Sequence, residues 1–397
     1  MTLRIITTAD NHLGRYYARM PIRTLDERRR RIRQAFGKAL DHALNTRAHL
    51  LLLAGDLFDN PNPRNPDRIF LARRLRALNQ SGVRTFAIGG NHDAPRSSTE
   101  EGGHLPLAVY HALEALHFFN QLDEDVCVKP EVLSINGLTV AVAGFTPSTN
   151  LPTGKDPLEG VTVAASDADV RILMVHAGIE GMMFPGNEGL IKRETIERLS
   201  NVDVLVAGNV HCYDSFRVGG VQVIVPGATE WMDYGELKSV RPGFVEIEVE
   251  DRTRVSVRHI PIEPQPRIEL SVSASELDPD DPTSTVLERL VAAANAESLA
   301  RLTLEGTVSR DDYAKLDIGI IEDPARESFF FCDIDLSGLR VRFEHGPAQT
   351  AIGRRSIPEE IDQVVSSLLA QTDDEQEAAS LELTRQALQS ELRRLEQ

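Results

Sequence analysis

Along the first half of this chain, five short polar motifs each sit at the end of a short apolar, β-branched run. Asp10-Asn11-His12 follows Leu3–Thr8, Gly55-Asp56-Leu57-Phe58-Asp59 follows Leu50–Ala54, and Gly89-Gly90-Asn91-His92-Asp93 follows Val83–Ile88. Val175-His176-Ala177 closes the run Val170–Val175, and Gly208-Asn209-Val210-His211 follows Val202–Ala207. Runs of this length and composition read as buried strands. A chain so patterned is constrained to a sheet whose strand ends deliver carboxylates, imidazoles and an amide to one rim. That is the layout of a two-metal hydrolytic site.

At 397 residues the chain exceeds one average domain and has room for two or three. A further strand is read at Leu138–Phe145, and three more, Val221–Val225, Phe244–Val249 and Arg254–Ile260, follow the last motif. Strands therefore outnumber crossover helices. The expected class is α/β, with two packed mixed β-sheets flanked by helices over residues 1–263. The clearest helix starts at a capping box, Thr24-Leu25-Asp26-Glu27, and carries Ile32, Phe36, Leu40 and Ala43 on one face. Pro61 to Pro66 and Thr146 to Asp169 read as loops.

The alternating prolines of Pro261-Ile262-Glu263-Pro264-Gln265-Pro266 predict a stiff linker. A smaller α+β domain over 267–350 follows: strand Arg267–Val272, helix Thr283–Ala294, strand Ala300–Gly306, then a strand pair near Phe329–Ile334 and Leu339–Phe343. Residues 354–397 read as two amphipathic helices. The first is capped by Ser356 with Pro358 in its first turn and bears Ile361, Val364, Val365, Leu368 and Leu369; the second bears Leu381, Leu388, Leu392 and Leu395. Such stripes serve either as a partner-docking surface or as a face packed back onto the chain.

The formal charge of −17 is unevenly spread. Residues 1–100 carry 18 Arg and Lys against 9 Asp and Glu, so the basic excess lies with the first three motifs, where a polyanionic substrate needs it. Three scattered cysteines, Cys127, Cys212 and Cys332, form no disulfide framework or zinc knuckle. No stretch reaches the length of apolar chain needed to span a bilayer, and no signal-peptide pattern precedes Leu3. The expectation is a cytoplasmic protein with no membrane partner.

A pair of hydrolytic ions takes oxygen and imidazole ligands and needs a carboxylate able to bridge them. Asp56 is the natural bridge. Asp10 and His12 can turn to one ion from a single backbone segment, Asn91 offers an amide oxygen to the other, and His176 and His211 arrive from later strand ends. His92, pointing away from Asn91 in an extended turn, is free to act as general acid. Taken singly, Gly-Asp and Gly-Asn-His-Asp read equally well as turns, because Gly and Asn tolerate left-handed backbone. Their order, each behind a strand, is what points to a site.

This set resembles the calcineurin-like metallophosphoesterases over roughly residues 1–260. Within them, Asp10-Asn11-His12-Leu13-Gly14, Gly55-Asp56-Leu57-Phe58-Asp59 and Pro226-Gly227-Ala228-Thr229-Glu230 resemble the SbcD-type nucleases of double-strand-break repair. The resemblance implies two divalent ions, manganese by expectation with magnesium as the alternative. Asp10, His12, Asp56 and His211 would hold one; Asp56, Asn91, His176 and position 209 would hold the second. His92 would be the catalytic acid. It further implies that the smaller domain caps DNA and that the terminal helices dock on an SbcC-type coiled-coil ATPase, in a homodimeric complex. The chain departs from the family pattern at Asn209, where relatives usually carry histidine. Asp59 stands where some relatives carry a histidine near the substrate phosphate.

Arg28-Arg29-Arg30-Arg31 wraps a full helical turn, so these four cannot all face one ligand. The loop arginines Arg15 and Arg19, directly after the first motif, are the better candidates for phosphate contact. The functional expectation is a metal-dependent DNA nuclease acting at DNA ends, on double-stranded ends and single-stranded regions. The rivals are a calcineurin-like phosphatase or phosphodiesterase on a non-DNA substrate, and a DNA-end-binding scaffold with attenuated catalysis.

Overall fold

The computed structural model describes residues 2–95, 104–120, 127–146, 154–182, 189–233, 241–251 and 254–342, together with 364–366, 369, 380–385 and 388. Two six-stranded sheets dominate. The first orders its strands as Arg254–Pro261, Gly243–Asp251, Leu3–Thr8, Leu50–Ala54, Arg84–Ile88 and His117–Phe119; the last four run parallel. The second runs Asp214–Val218, Val221–Val225, Val204–Gly208, Val170–His176, Leu138–Gly144 and Glu131–Ile135, with its four central strands parallel and its two edges antiparallel.

Parallel strands covered on both faces need apolar side chains at every position, which is why Leu50-Leu51-Leu52-Leu53 is unbroken. Alternate residues of each strand then feed different cores. Leu3, Ile5, Leu50, Leu52 and Ile88 meet Val142, Ile172, Met174 and Val206 between the sheets. Ile6, Leu51 and Leu53 face the helices α1 (Ile22–Asn45) and α2 (Asn65–Gln80), against Ile32, Phe36, Leu40, Leu71 and Leu75. Val175, Leu205 and Val223 cover the outer face of the second sheet with Ile179, Ile191 and Ile196. Each such side chain contributes about 1.5–3 kcal/mol by leaving water. Together they fix the strand ends that carry the five motifs.

The Thr24 capping box does not form. Helix α1 begins two residues earlier, behind Pro21, with no side-chain cap. The Glu27 carboxylate is taken by Arg30 and Arg31 instead. The apolar face read for α1 is buried as expected.

A third sheet joins Arg267–Ser273, Asn295–Ser309 and Phe329–Arg342 around a core of its own, including Val272, Val286, Leu290, Leu302 and Ile321. Its last strand is continuous, where the sequence predicts two strands with a break near Ser337-Gly338. The hydrogen side of Gly338 lies against Leu304 O and the Glu305 Cβ, so the small residue passes a neighbouring strand in extended conformation and makes no hairpin. The proline-rich segment after Pro261 has no regular structure, yet Ile262 and Gln265 are buried.

By contacts the chain divides into one unit of Met1–Gly306 with Lys315–Leu339 and another of Thr307–Ala314 with Arg340–Gln397. In the second unit, the described residues 364–366, 369, 380–385 and 388 are helical, with Val365 buried and Val364, Leu383 and Leu388 exposed. Ser356, Pro358, Ile361, Leu368, Leu392 and Leu395 lie outside the described residues. Among the described residues, no helix is long and apolar enough to cross a membrane.

Candidate metal centre

Three of the five motifs leave their strands through a sharp turn. Asp10, His12, Asp56 and Asn209 adopt left-handed backbone, with φ of 52°, 44°, 49° and 86°. Side chains rarely accept that region, and such strain gathers where surrounding structure over-determines it. Here the determinants are visible: Asp10 N–H donates to Gly55 O at 3.1 Å, and the amides of Asn11 and His12 both donate to Asp56 O at 2.9 and 3.0 Å. The first two motif loops are thereby clamped side by side.

The side chains then converge. Ligand atoms within 4.8 Å of one another form three overlapping groups: Asp10 with His12 and His211; His12 with Asp56 and His92; Asp10 with Asp56 and His176. His12 Nε2 lies 3.3 Å from His211 Nε2 and 3.7 Å from Asp56 Oδ2. His176 Nε2 lies 3.4 Å from Asp56 Oδ2, 4.0 Å from Asp10 Oδ1 and 3.2 Å from Asn91 Oδ1. Its Nδ1 donates to Ala54 O at 2.9 Å, which orients the ring and leaves Nε2 for a ligand. Asp56 Oδ1 accepts the His92 amide at 2.9 Å.

All seven residues expected to hold ions are placed. Asp10, His12, Asp56, His176 and His211 fall within the groups, and Asn91 joins them through His176. Asn209 sends its backbone N–H to Asp10 Oδ1 at 3.0 Å. His92, expected as the acid, stands edge-on to His12 with ring centroids 4.6 Å apart and its side chain 38% exposed. Asp59 Oδ1 sits 3.3 Å from His12 Nδ1, and the Asp59 carbonyl sits 3.2 Å from His92 Nδ1. Arg15 donates to Asp59 Oδ1 at 3.0 Å, at the rim of the cluster. Arg19 turns elsewhere, to Asp333 and the carbonyl of Ile334.

The donors fit a pair of divalent ions. Carboxylates and imidazoles in this mixture suit divalent metal ions. Asp10 is fully buried and its Oδ2 has no hydrogen-bond partner. An orphaned buried carboxylate oxygen is costly unless a cation meets it. The protonation pattern says the same. Burial pushes the Asp10 carboxyl up against the pull of His176 and His211, and burial holds His12 down. Burial also works against charge on both Asp56 and His176, but their mutual attraction wins: Asp56 is held low and His176 is raised to about 10. A metal ion on His176 Nε2 would require that ring to be neutral.

Sequence reasoning missed the groups that hold the loops in place. Asp93 is buried, and its carboxylate accepts the amides of Leu57, Phe58 and Gly90 at 3.1, 2.8 and 3.1 Å, tying the second motif to the third. Burial and the neighbouring Asp56 push it up to about 7. Asn11 Oδ1 accepts the hydroxyls of Thr8 and Thr229, which joins the segment 226–230 to the first motif. Arg29 Nε donates to the carbonyls of Gly14 and Arg15 and so braces the loop after His12. A buried acid closing a glycine-rich turn was the one readable signal, at Asp93. The glycines have steric roles: a Cβ on Gly90 would meet Asp56 Oδ1 at 2.2 Å, and one on Gly55 would meet His176 Nδ1 at 2.2 Å.

The family model for calcineurin-like phosphoesterase matches residues 3–213. The chain belongs to the calcineurin-like phosphoesterases. As a calcineurin-like phosphoesterase it is a metal-dependent hydrolase of phosphate esters, and the clusters above are its candidate ligands for the two divalent ions such enzymes bind.

Curated relatives include proteins named DNA double-strand break repair protein Mre11. That of Haloferax volcanii is 29% identical over 57% of this chain and 45% of its own length. That of Sulfolobus acidocaldarius is 20% identical over 77% and 76%, and that of Thermoplasma acidophilum 24% identical over 80% and 81%. The chain thus spans less than half of the first relative and about three quarters or more of the other two. Among solved structures, a dimetal phosphatase from Danio rerio covers 65% of this chain and 95% of its own, at 12% identity and a TM-score of 0.38.

Proposed function

We propose that this phosphoesterase is a DNA nuclease that hydrolyses phosphodiester bonds at DNA ends. The observation that carries the reading is the convergence of Asp10, His12, Asp56, His92, His176 and His211 within three overlapping ligand groups, in a chain similar to Mre11 proteins along most of its length. In this reading Asp10, His12, Asp56 and His211 hold one ion, and Asp56, Asn91, His176 and Asn209 hold the other. Two divalent ions held by these residues would supply charge stabilisation for the phosphoryl oxygens during hydrolysis. His92 protonates the leaving oxygen, an assignment supported by its exposed ring and by the Asp59 carbonyl facing its Nδ1. Arg15 binds a phosphate oxygen at the rim; Arg19, held by Asp333, contacts the strand farther along.

Residues 1–263 form the nuclease domain, 267–350 the DNA-capping domain, and 354–397 the docking region for an SbcC-type coiled-coil ATPase in a homodimeric, nucleoid-associated complex. The test is digestion of end-labelled duplex across a manganese and magnesium series. Release of labelled nucleotides or short oligonucleotides, lost in Asp56→Asn, is the expected result. Hydrolysis of nucleotide monoesters with intact duplex would instead establish a phosphatase, and binding of ends without cleavage in excess manganese a scaffold. Co-purification with the ATPase, lost on truncation after Gly353, tests the partner.

A further inference from the structure

Directly after the first metal motif, two adjacent tyrosines take opposite roles. Tyr17 packs against the core, and its hydroxyl donates to the carbonyl of Met232. Tyr16 is 63% exposed. Its backbone N–H donates to Asp59 Oδ2 at 3.3 Å, while Asp59 Oδ1 lies 3.3 Å from His12 Nδ1 and 3.8 Å from His92 Nδ1. One carboxylate therefore separates residue 16 from a proposed metal ligand and the proposed catalytic acid.

The ring is also backed. The Arg29 guanidinium carbon stands 6.0 Å from its centroid, and Arg29 is buried, with Nε fixed on the Gly14 and Arg15 carbonyls. A cation held behind an aromatic face leaves the ring's solvent side for a second π-system. The exposed Arg19 follows in the same loop and the exposed Arg23 stands in the first turn of α1, where a phosphate chain would be drawn in. Single exposed aromatics are ordinary on protein surfaces. This one combines a position beside the centre, a fixed cationic backing and flanking cations. That combination is how sequence-tolerant sites for unpaired nucleic acid are built.

We infer that Tyr16 is a stacking platform for an unpaired nucleobase next to the scissile phosphate, so that the site selects strands whose terminal or flanking base is free of the helix stack. The inference rests on the DNA-nuclease reading and narrows it to single-stranded, frayed or mismatched ends, since a paired base must first be unstacked at a cost of a few kcal/mol.

The test uses the full chain freed of metal with chelator and single-stranded oligonucleotides carrying 2-aminopurine at each position in turn. One position should show quenching on binding. Tyr16→Leu should abolish that quench and raise Kd on the order of ten-fold, and Tyr16→Trp should restore both. An abasic residue at that position should weaken the parent by a similar factor and leave Tyr16→Leu unaffected. With manganese restored, the parent should prefer the intact over the abasic strand in kcat/KM, and Tyr16→Leu should lose that preference. Equal preference of parent and Tyr16→Leu for the intact over the abasic strand, with DNA still cleaved, overturns the stacking role alone. A parent that neither binds nor cleaves DNA overturns the nuclease reading, and this inference with it.

Discussion

Among the proposed ligands, Asp10, His12 and Asp56 hold left-handed backbone at a cost on the order of 1–3 kcal/mol each, and the amide-to-carbonyl clamps between the motif loops offset it. The side chains are thus preset before any ion arrives, and losses should appear in chemistry or in metal affinity separately. His92 donates its amide to Asp56, but its ring is not needed to hold that carboxylate. His92→Ala should therefore keep both ions and lose on the order of 10²–10⁴ in rate, read by metal titration beside steady-state kinetics. Loss of an ion in the variant would make His92 a ligand. Asn209 poses the opposite question. An amide oxygen ligates a hard ion but is a weaker donor than imidazole for softer ones, so the second ion should bind less tightly than the first. Asn209→His should lower the manganese concentration for half-maximal activity; the backbone bond to Asp10 Oδ1 does not depend on the side chain and should survive. Two ions of equal affinity in the parent by calorimetry, unchanged in Asn209→His, would remove position 209 from the ligand set.

At the scale of elements, α1 shows how a run of like charges is resolved. Arg28 and Arg29 turn inward to carbonyls, Arg30 and Arg31 share Glu27, and Arg33 meets buried Asp67 at 2.6 Å. The hydrogen bonds from Arg30 outweigh the small effect of burial and, with those from Arg31, bring Glu27 down to about 2. A carboxylate depressed in the fold stabilises it above the unfolded value and loses that contribution as pH falls toward 2. Because the pair is near the surface, Glu27→Gln should cost no more than about 1 kcal/mol at pH 7, and the gap to the parent should close between pH 4.5 and 2 in thermal melts. A gap that persists at pH 2 would trace the effect to packing. The same helix marks what a sequence can tell. The strands and their terminal ligands were legible because a parallel strand covered on both faces must be apolar throughout. The inward turn of Arg28 and Arg29 was not, because their acceptors, the carbonyls of Trp231, Gly14 and Arg15, carry no side-chain signature. The Thr24 box failed because Pro21 fixes an earlier start and Arg30 and Arg31 compete for Glu27.

Across the molecule, one buried ion pair links regions far apart in sequence. Arg28 on α1 is fully buried; it donates to the carbonyl of Trp231 and to Gln265 Oε1 at 3.1 Å, and stands 3.5 Å from Glu230 Oε2. Glu230 accepts the amides of Trp231 and Gln265, and Gln265 Nε2 donates to the carbonyl of Glu297 in the third sheet. The proline-rich segment is thus pinned to the phosphoesterase core by a desolvated charge pair. Burial pushes the Glu230 carboxyl up, and Arg28 opposes it. Removing one partner strands the other without water, so Arg28→Met should destabilise by about 3–5 kcal/mol in denaturant titration. Glu230→Gln strands Arg28 in turn, though the amide oxygen still accepts one of the two backbone bonds, and its cost should be smaller. The double variant Arg28→Met/Glu230→Gln leaves no unpaired charge and should cost clearly less than the sum of the singles. Strict additivity would mean that the two residues stabilise this junction independently, by packing and by backbone hydrogen bonds, and that the ion pair itself couples nothing.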